Sequence, residues 1–216
     1  MNLVKPSFDI INIMTLNSED VGGGALTLIE LAGRTCYKSE EHITPSSAVK
    51  FVQKLNSLGH ESVLEHSAMT VRFICDRGVS HELVRHRLCA FSQESTRYCN
   101  YKGGVTFVIP PWVEIEEGEY SFASPECDRN IYIECLLTCE FIYQSLLTNG
   151  WTPQQARSVL PNSLKTEIVV TTNFREWRHI FKLRCSKAAH PQMSEIMIPL
   201  LNRCKEIIPI IFDNLG

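Results

Sequence analysis

The sequence predicts an α+β fold in a single domain, and three observations carry that reading. Runs of helical spacing outnumber β-branched runs and do not alternate with them as a parallel βαβ series would. No Pro/Gly/Ser-rich linker or shift in composition divides the 216 residues, so 1–216 reads as one domain. With 44% hydrophobic and 21% charged residues the composition is globular. At this length about 70% of the unfolded surface can be buried, enough for a core without disulfide or structural metal.

The elements follow in order. Residues 8–14 alternate loosely and are rich in Ile, which predicts a strand. Gly22-Gly23-Gly24 then opens a helix over 25–36. Thr44-Pro45 has the form of an N-cap followed by proline at the first helical position, and Val49, Val52 and Leu55 fall on one face before Gly59. Residues 67–75 are β-branched and aromatic and predict a strand ending at Asp76-Arg77-Gly78, after which Ser80 is expected to cap a short helix carrying Leu83 and Val84. Residues 125–149 predict a long helix, with Ile131, Cys135, Leu136, Cys139, Ile142, Tyr143 and Leu146 at three- and four-residue spacings and Asn149-Gly150 closing it. Thr152-Pro153 opens another short helix that Pro161 stops. Residues 166–172 predict a strand, 174–185 a helix, and 192–212 a last helix kinked at Pro199 and Pro209.

Nine cysteines, an odd number without a C-x-x-C pair, read as reduced core thiols of a cytoplasmic protein. Residues 1–8 lack a secretory pattern, and no apolar stretch approaches the roughly 18 residues that span a bilayer. A net charge of -3 argues against a general nucleic-acid coat protein. Charge is uneven, however: residues 72–102 hold six Arg/Lys against three acids, and 114–119 hold four glutamates. A nucleic-acid-binding module on 72–102 is therefore the alternative from another functional class, although interleaved aromatics are few there.

The densest chemistry lies in Arg85 to Tyr98, R-H-R-L-C-A-F-S-Q-E-S-T-R-Y. Guanidinium forks bind phosphate oxygens bidentately, a serine adds a neutral donor, and a carboxylate accepts from ribose or base, so the set suits a nucleotide monophosphate. If 93–99 is extended, Ser95 and Arg97 face one side. On a regular helix Arg85 and Arg87 would diverge by about 200° and could serve two ligands. A solvated basic face is the bland reading of the same residues. His60 and His66 are six apart, so one helix cannot present both to zinc, and no metal site is expected. Arg175 and His179 share a helix face at a spacing of four. A glycine-rich phosphate loop is absent, as is a G-x-S-x-G nucleophile elbow.

The pattern R-H-R-x7-S-x-R formed by Arg85, His86, Arg87, Ser95 and Arg97 resembles the flavin-dependent thymidylate synthases. The resemblance extends through Ala32-Gly33-Arg34-Thr35-Cys36-Tyr37, His60-Glu61-Ser62 with Glu65-His66, Ala156 to Pro161, Asn173, Arg184 and His190-Pro191-Gln192. It implies an alpha/beta roll, a mixed sheet with several long helices, assembled as a homotetramer whose active sites are shared between subunits. It also implies methylation of dUMP to dTMP, with methylenetetrahydrofolate as carbon donor, FAD as hydride carrier and NADPH as reductant. FAD contacts would come from His60, Ser62, Glu65, Arg85, His86, Arg87, Glu94, Asn173, Arg175 and His179. Substrate contacts would come from Glu82, Leu83, Arg85, Glu94, Ser95, Thr96, Arg97, Arg157 and Arg184, with Arg184 as the activating residue and Arg157 supplied by a neighbouring subunit. Glu82 departs from the glutamine of many members. The physical reading agrees with Arg184: a cation near nitrogen 3 of uracil favours its ionised, electron-rich form without acting as a base.

Overall fold

The computed structural model describes residues 1–16, 20–124 and 130–216 of the chain. Its elements are β1 (Asn2–Val4), β2 (Ser7–Ile13), α1 (Val21–Thr35), α2 (Ser47–Ser57), β3 (Ala68–Asp76), α3 (Arg77–Leu83), β4 (Ala90–Gln93), β5 (Thr106–Val108) and β6 (Gly118–Glu119). There follow α4 (Ile131–Thr148), α5 (Pro153–Ala156), β7 (Lys165–Asn173), α6 (Phe174–Arg184), α7 (Pro191–Ile207) and α8 (Pro209–Phe212). One sheet has the order β5-β1-β6 and the other β2-β3-β7-β4, so helices and sheets coexist as the sequence predicts. The chain forms two compact units, the first of Met1–Ser7, Phe73–Arg85 and Ser92–Ile168, the second of Phe8–Arg72, His86–Phe91 and Val169–Gly216.

In the first unit β1 pairs parallel with β5 and antiparallel with β6, which makes that sheet mixed; Leu3 stands opposite Phe107. Leu3, Val105, Phe107, Ile109, Leu136, Tyr143, Ala156 and Leu164 form one buried cluster. Helix α4 faces inward through Ile133, Leu136, Leu137, Glu140 and Tyr143. The predicted face was wider: Ile131 is 84% exposed, and Ile142 is exposed as well. A helix apolar on most of its circumference leaves its inward side undetermined by periodicity alone. The expected start of this helix, 125–129, lies outside the described residues. Buried Glu140 is satisfied because its Oε1 accepts from Val105 N at 2.7 Å.

Helix α3 follows β3 without a turn. Its cap is Asp76, whose Oδ1 accepts from Val79 N at 2.7 Å, not the expected Ser80. Ser80 is buried inside the helix, its hydroxyl donating to Arg77 O. Aspartate at the strand end reaches the N3 amide first, and that fixes the helix start four residues early. Thr152 N donates to Gln155 Oε1 at 2.9 Å in a capping box at α5.

In the second unit β3 lies beside β2, where Arg72 Nη2 donates to Asp9 Oδ2 at 2.7 Å, and beside β7, where the Thr70 and Thr171 hydroxyls are 2.9 Å apart. Helix α2 has Ser46 at its N-cap position, two residues beyond the expected Thr44 and without a side-chain capping bond, and buries Ala48 and Val52 while Val49 is exposed. Gly33 is needed where α1 meets α2, because a Cβ there would sit 2.8 Å from Phe51 Cε1. Buried Glu30 accepts from Arg34 Nε at 2.7 Å and from the Ser47 hydroxyl at 2.8 Å. Trp177, Phe181, Phe174 and Phe212 pack ring on ring with centroids 5.7 to 5.8 Å apart, and Trp177 Nε1 donates to Met69 O. Pro209 breaks the last helix at Ile208, whereas Pro199 is accommodated inside α7.

The eight described cysteines are free, but only Cys75 and Cys204 are buried; Cys36 and Cys135 are exposed, so the core-thiol expectation holds for a minority. Burial pushes the Cys75 and Cys204 thiols up to about 12, which keeps them protonated and unreactive. No described helix is long and apolar enough to cross a membrane.

Candidate functional site

Helix α6 builds the centre of the second unit's site. Asn173 caps it, its Oδ1 accepting from Glu176 N at 2.9 Å. The helical repeat then places Arg175, Glu176, His179 and Lys182 along one cavity of about 590 Å³, which Glu61, Glu65, Leu88 and Asn173 also line. Four expected FAD contacts, Glu65, Asn173, Arg175 and His179, meet there. Glu61, Leu88, Glu176 and Lys182 were not anticipated; a spacing of three either side of His179 on α6 finds Glu176 and Lys182. Both cations face carboxylates: Arg175 Nη1 lies 2.5 Å from Glu65 Oε1, and Lys182 Nζ 3.7 Å from Glu61 Oε1. Glu61 also accepts from buried Arg178 at 3.0 Å, which ties it to the frame.

His86 is 6% exposed and its Nε2 accepts from Arg184 Nε at 3.0 Å. Its Nδ1 is 3.8 Å from Glu176 Oε1, and its ring meets that of His179 edge-on at 6.2 Å. Burial first, then the charges of Arg184 and His179, lower the imidazole to about 4, so it is neutral near pH 7 and the contact with Glu176 is no ion pair. His86, Glu176 and His179 offer ligating atoms within 4.8 Å of one another. A dication there would need His86 Nδ1 without its proton while a guanidinium occupies Nε2, which opposes the binding of a metal. His60 precedes a 3-10 helix (Glu61–His66) that His66 ends; both are exposed and take no part in that group, and Ser62 and Arg87 are exposed too.

The first unit holds the remaining residues. Residues 93–99 are not extended, as the same-side argument required. After β4 the chain turns over 95–98, with Tyr98 N and Cys99 N donating to Ser95 O. The turn rather than a strand brings Ser95 and Arg97 together, Arg97 N donating to Ser95 Oγ at 3.3 Å. Arg97 lies over the Tyr98 ring at 5.3 Å. Arg157 Nη1 donates to Thr96 Oγ1 of its own chain at 2.9 Å. Glu94 is held through both oxygens, by Tyr101 OH at 2.7 Å and Lys165 Nζ at 3.2 Å. Leu83 is 1% exposed, so its side chain belongs to the core and only its backbone is left for a ligand. Glu82 is half-buried on α3 and Arg85 exposed just after it, where Arg85 N donates to Glu82 O. Neither Arg85 nor Arg87 is helical, so the divergence expected on a regular helix does not apply.

The basic stretch 72–102 is divided between the two units, and Arg72 is paired with Asp9. Neither unit alone carries the whole basic stretch. Fold and site together define an α+β protein that gathers arginines, a lysine and histidines on side chains where nucleotide-binding proteins of other folds use a glycine-rich loop.

The family model described as thymidylate synthase complementing protein matches residues 20–210. The flavin-dependent thymidylate synthase of Geobacter sulfurreducens is 35% identical over 196 residues, 87% of this chain and 81% of that protein. That of Mycobacterium avium is 35% identical over 204 residues, 90% of this chain and 81% of its own. This chain belongs to the thymidylate synthase complementing protein family, the flavin-dependent thymidylate synthases. A crystal structure of the UMP/dUMP methylase PolB from Streptomyces cacaoi with 5-Br dUMP superposes with a TM-score of 0.75 over 99% of this chain and 96% of that one; at 20% identity it speaks for the fold.

Proposed function

We propose that the chain, read as one functional domain over 1–216, converts dUMP, methylenetetrahydrofolate and NADPH with a proton to dTMP, tetrahydrofolate and NADP⁺. The observation that carries the reading is the R-H-R-x7-S-x-R pattern resolved into two cation-bearing clusters within a family member. The α6 cavity fits FAD by its donor set: Arg175 and Lys182 supply charge for a diphosphate, and His179 and Leu88 supply ring and apolar surface. FAD, once bound, supplies the hydride chemistry. Arg175 and Lys182, which face Glu65 and Glu61, would hold its phosphate oxygens. Ser95, Arg97 and Arg157 suit the dUMP phosphate, with Thr96 holding Arg157 in place. Arg184, oriented by His86, sets a fixed positive charge against the uracil and stabilises its ionised form. The homotetramer, the shared sites, folate binding and a cytoplasmic location belong to the same proposal and are supported by family membership.

The experiment is direct. Purified protein titrated with FAD should quench flavin fluorescence, and with NADPH and methylenetetrahydrofolate it should release tritium from dUMP labelled at carbon 5. A protein that binds no flavin overturns the reading.

A further inference from the structure

The contacts of His86 carry an inference about Glu176, a residue that no motif singled out. We propose that Glu176 is a positioning residue whose carboxylate keeps the His86 proton on Nδ1, so that the Nε2 lone pair anchors Nε of Arg184. The rate effect rests on the function proposed above; the position of the proton does not.

A neutral imidazole has one donor nitrogen and one acceptor. Arginine is always charged and can only donate, so His86 Nε2, 3.0 Å from Arg184 Nε, must be the acceptor. The proton therefore sits on Nδ1, and the group facing it is Glu176 Oε1 at 3.8 Å. That separation is too long for a hydrogen bond and leaves an attraction between the N–H dipole and a carboxylate. It is effective because both groups are withdrawn from water, His86 at 6% and Glu176 at 8% exposure. The carboxylate is itself held in place: Glu176 stands in the first turn of α6, its N–H donating to the Asn173 cap. At the other end of the helix, Arg184 O accepts from the Ser194 hydroxyl at 3.3 Å. Anchoring Nε fixes the plane of the guanidinium, and a planar fork is useful to a uracil edge only when its plane is fixed. The other tautomer would set two N–H donors against each other at 3.0 Å, so it forms only if Arg184 leaves Nε2, and the Glu176 carboxylate weighs against that state because it would then face a lone pair on Nδ1.

The test uses full-length protein with selectively ¹⁵N-labelled histidine, followed by NMR, alongside FAD titration and single-turnover rates. Wild-type His86 should show a protonated Nδ1 and a bare Nε2 near pH 7. Glu176→Gln, isosteric but neutral, should lose that preference and slow the single turnover, measured at saturating FAD, by about tenfold. Glu176→Asp should restore the tautomer at least in part. A wild-type protein with the proton on Nε2, or an unchanged tautomer in Glu176→Gln, overturns the proposal; so does zinc retained in stoichiometric amount through this cluster. Should Glu176→Gln fail to fold, the wild-type spectrum and Glu176→Asp still decide. A wild-type protein that shows the expected tautomer yet neither binds flavin nor turns over counts against the proposed function alone.

Discussion

Arg184 Nε and His86 Nε2 stand 3.0 Å apart although 98 positions separate them in the chain. The contact joins the central residue of the R-H-R motif to the last residue of α6, two features that sequence reading assigned to different ligands. It makes the orientation of Arg184 a property of the protein before any substrate arrives.

Arg184→Lys keeps the charge but removes the Nε donor and the planar fork. FAD affinity should be nearly unchanged, and the single-turnover rate should fall by about tenfold or more. Rapid-quench measurement of dTMP formation checks this; an unchanged rate removes Arg184 from the chemistry.

Burial, and after it the charge of Arg184, gives His86 a pH signature. Its native pKa, about 4, is lower than the ordinary 6.5, so between those values the unfolded chain binds a proton that the native chain does not. The His86 contribution is therefore complete above pH 6.5 and is lost as pH falls towards 4, at most about 3 kcal/mol in total. Urea denaturation of wild type and His86→Gln across this range should show a shallower decline in the variant. Parallel curves would mean that His86 titrates normally.

Asn173→Ala removes the acceptor of the Glu176 amide and should cost about 1 kcal/mol, read as a lower urea midpoint at unchanged m-value. If FAD affinity drops by more than the stability loss explains, the Asn173 amide also meets the cofactor.

These sites show what was legible in the chain. The strand expected at 166–172 is β7 (Lys165–Asn173), and the helix expected at 174–185 is α6, because both carry an unbroken period with a capping residue between them. By contrast β1 has three residues and β6 two, too few for any period to register. Arg175 and His179 were readable as neighbours because helix geometry is local. Glu94 with Lys165 and Tyr101, or Arg157 with Thr96, could not be, since turns and long-range closure bring them together.

The Arg157–Thr96 contact and the shared-site expectation lead to different outcomes when variant subunits are mixed. Arg157 was expected to reach a neighbour's site, so that mixing Arg157→Ala with Arg97→Ala subunits would regenerate intact sites. Arg157 instead donates to Thr96 of its own chain, next to Ser95 and Arg97 in one turn and within one compact unit. If that contact persists in the oligomer, Arg97 and Arg157 enter the site from the same chain. Every subunit of a mixed oligomer carries one lesion or the other in that cluster, and no arrangement of subunits yields a cluster free of both. Each homo-oligomer should turn over dUMP weakly, with a raised KM, because each lacks one of two guanidinium groups for the phosphate. Subunits carrying tags of different mass, mixed until native mass spectrometry shows exchange, should have an activity between those of the two parents. Activity rising above both parents as mixed oligomers form would show that Arg157 crosses to a neighbour during turnover and abandons Thr96.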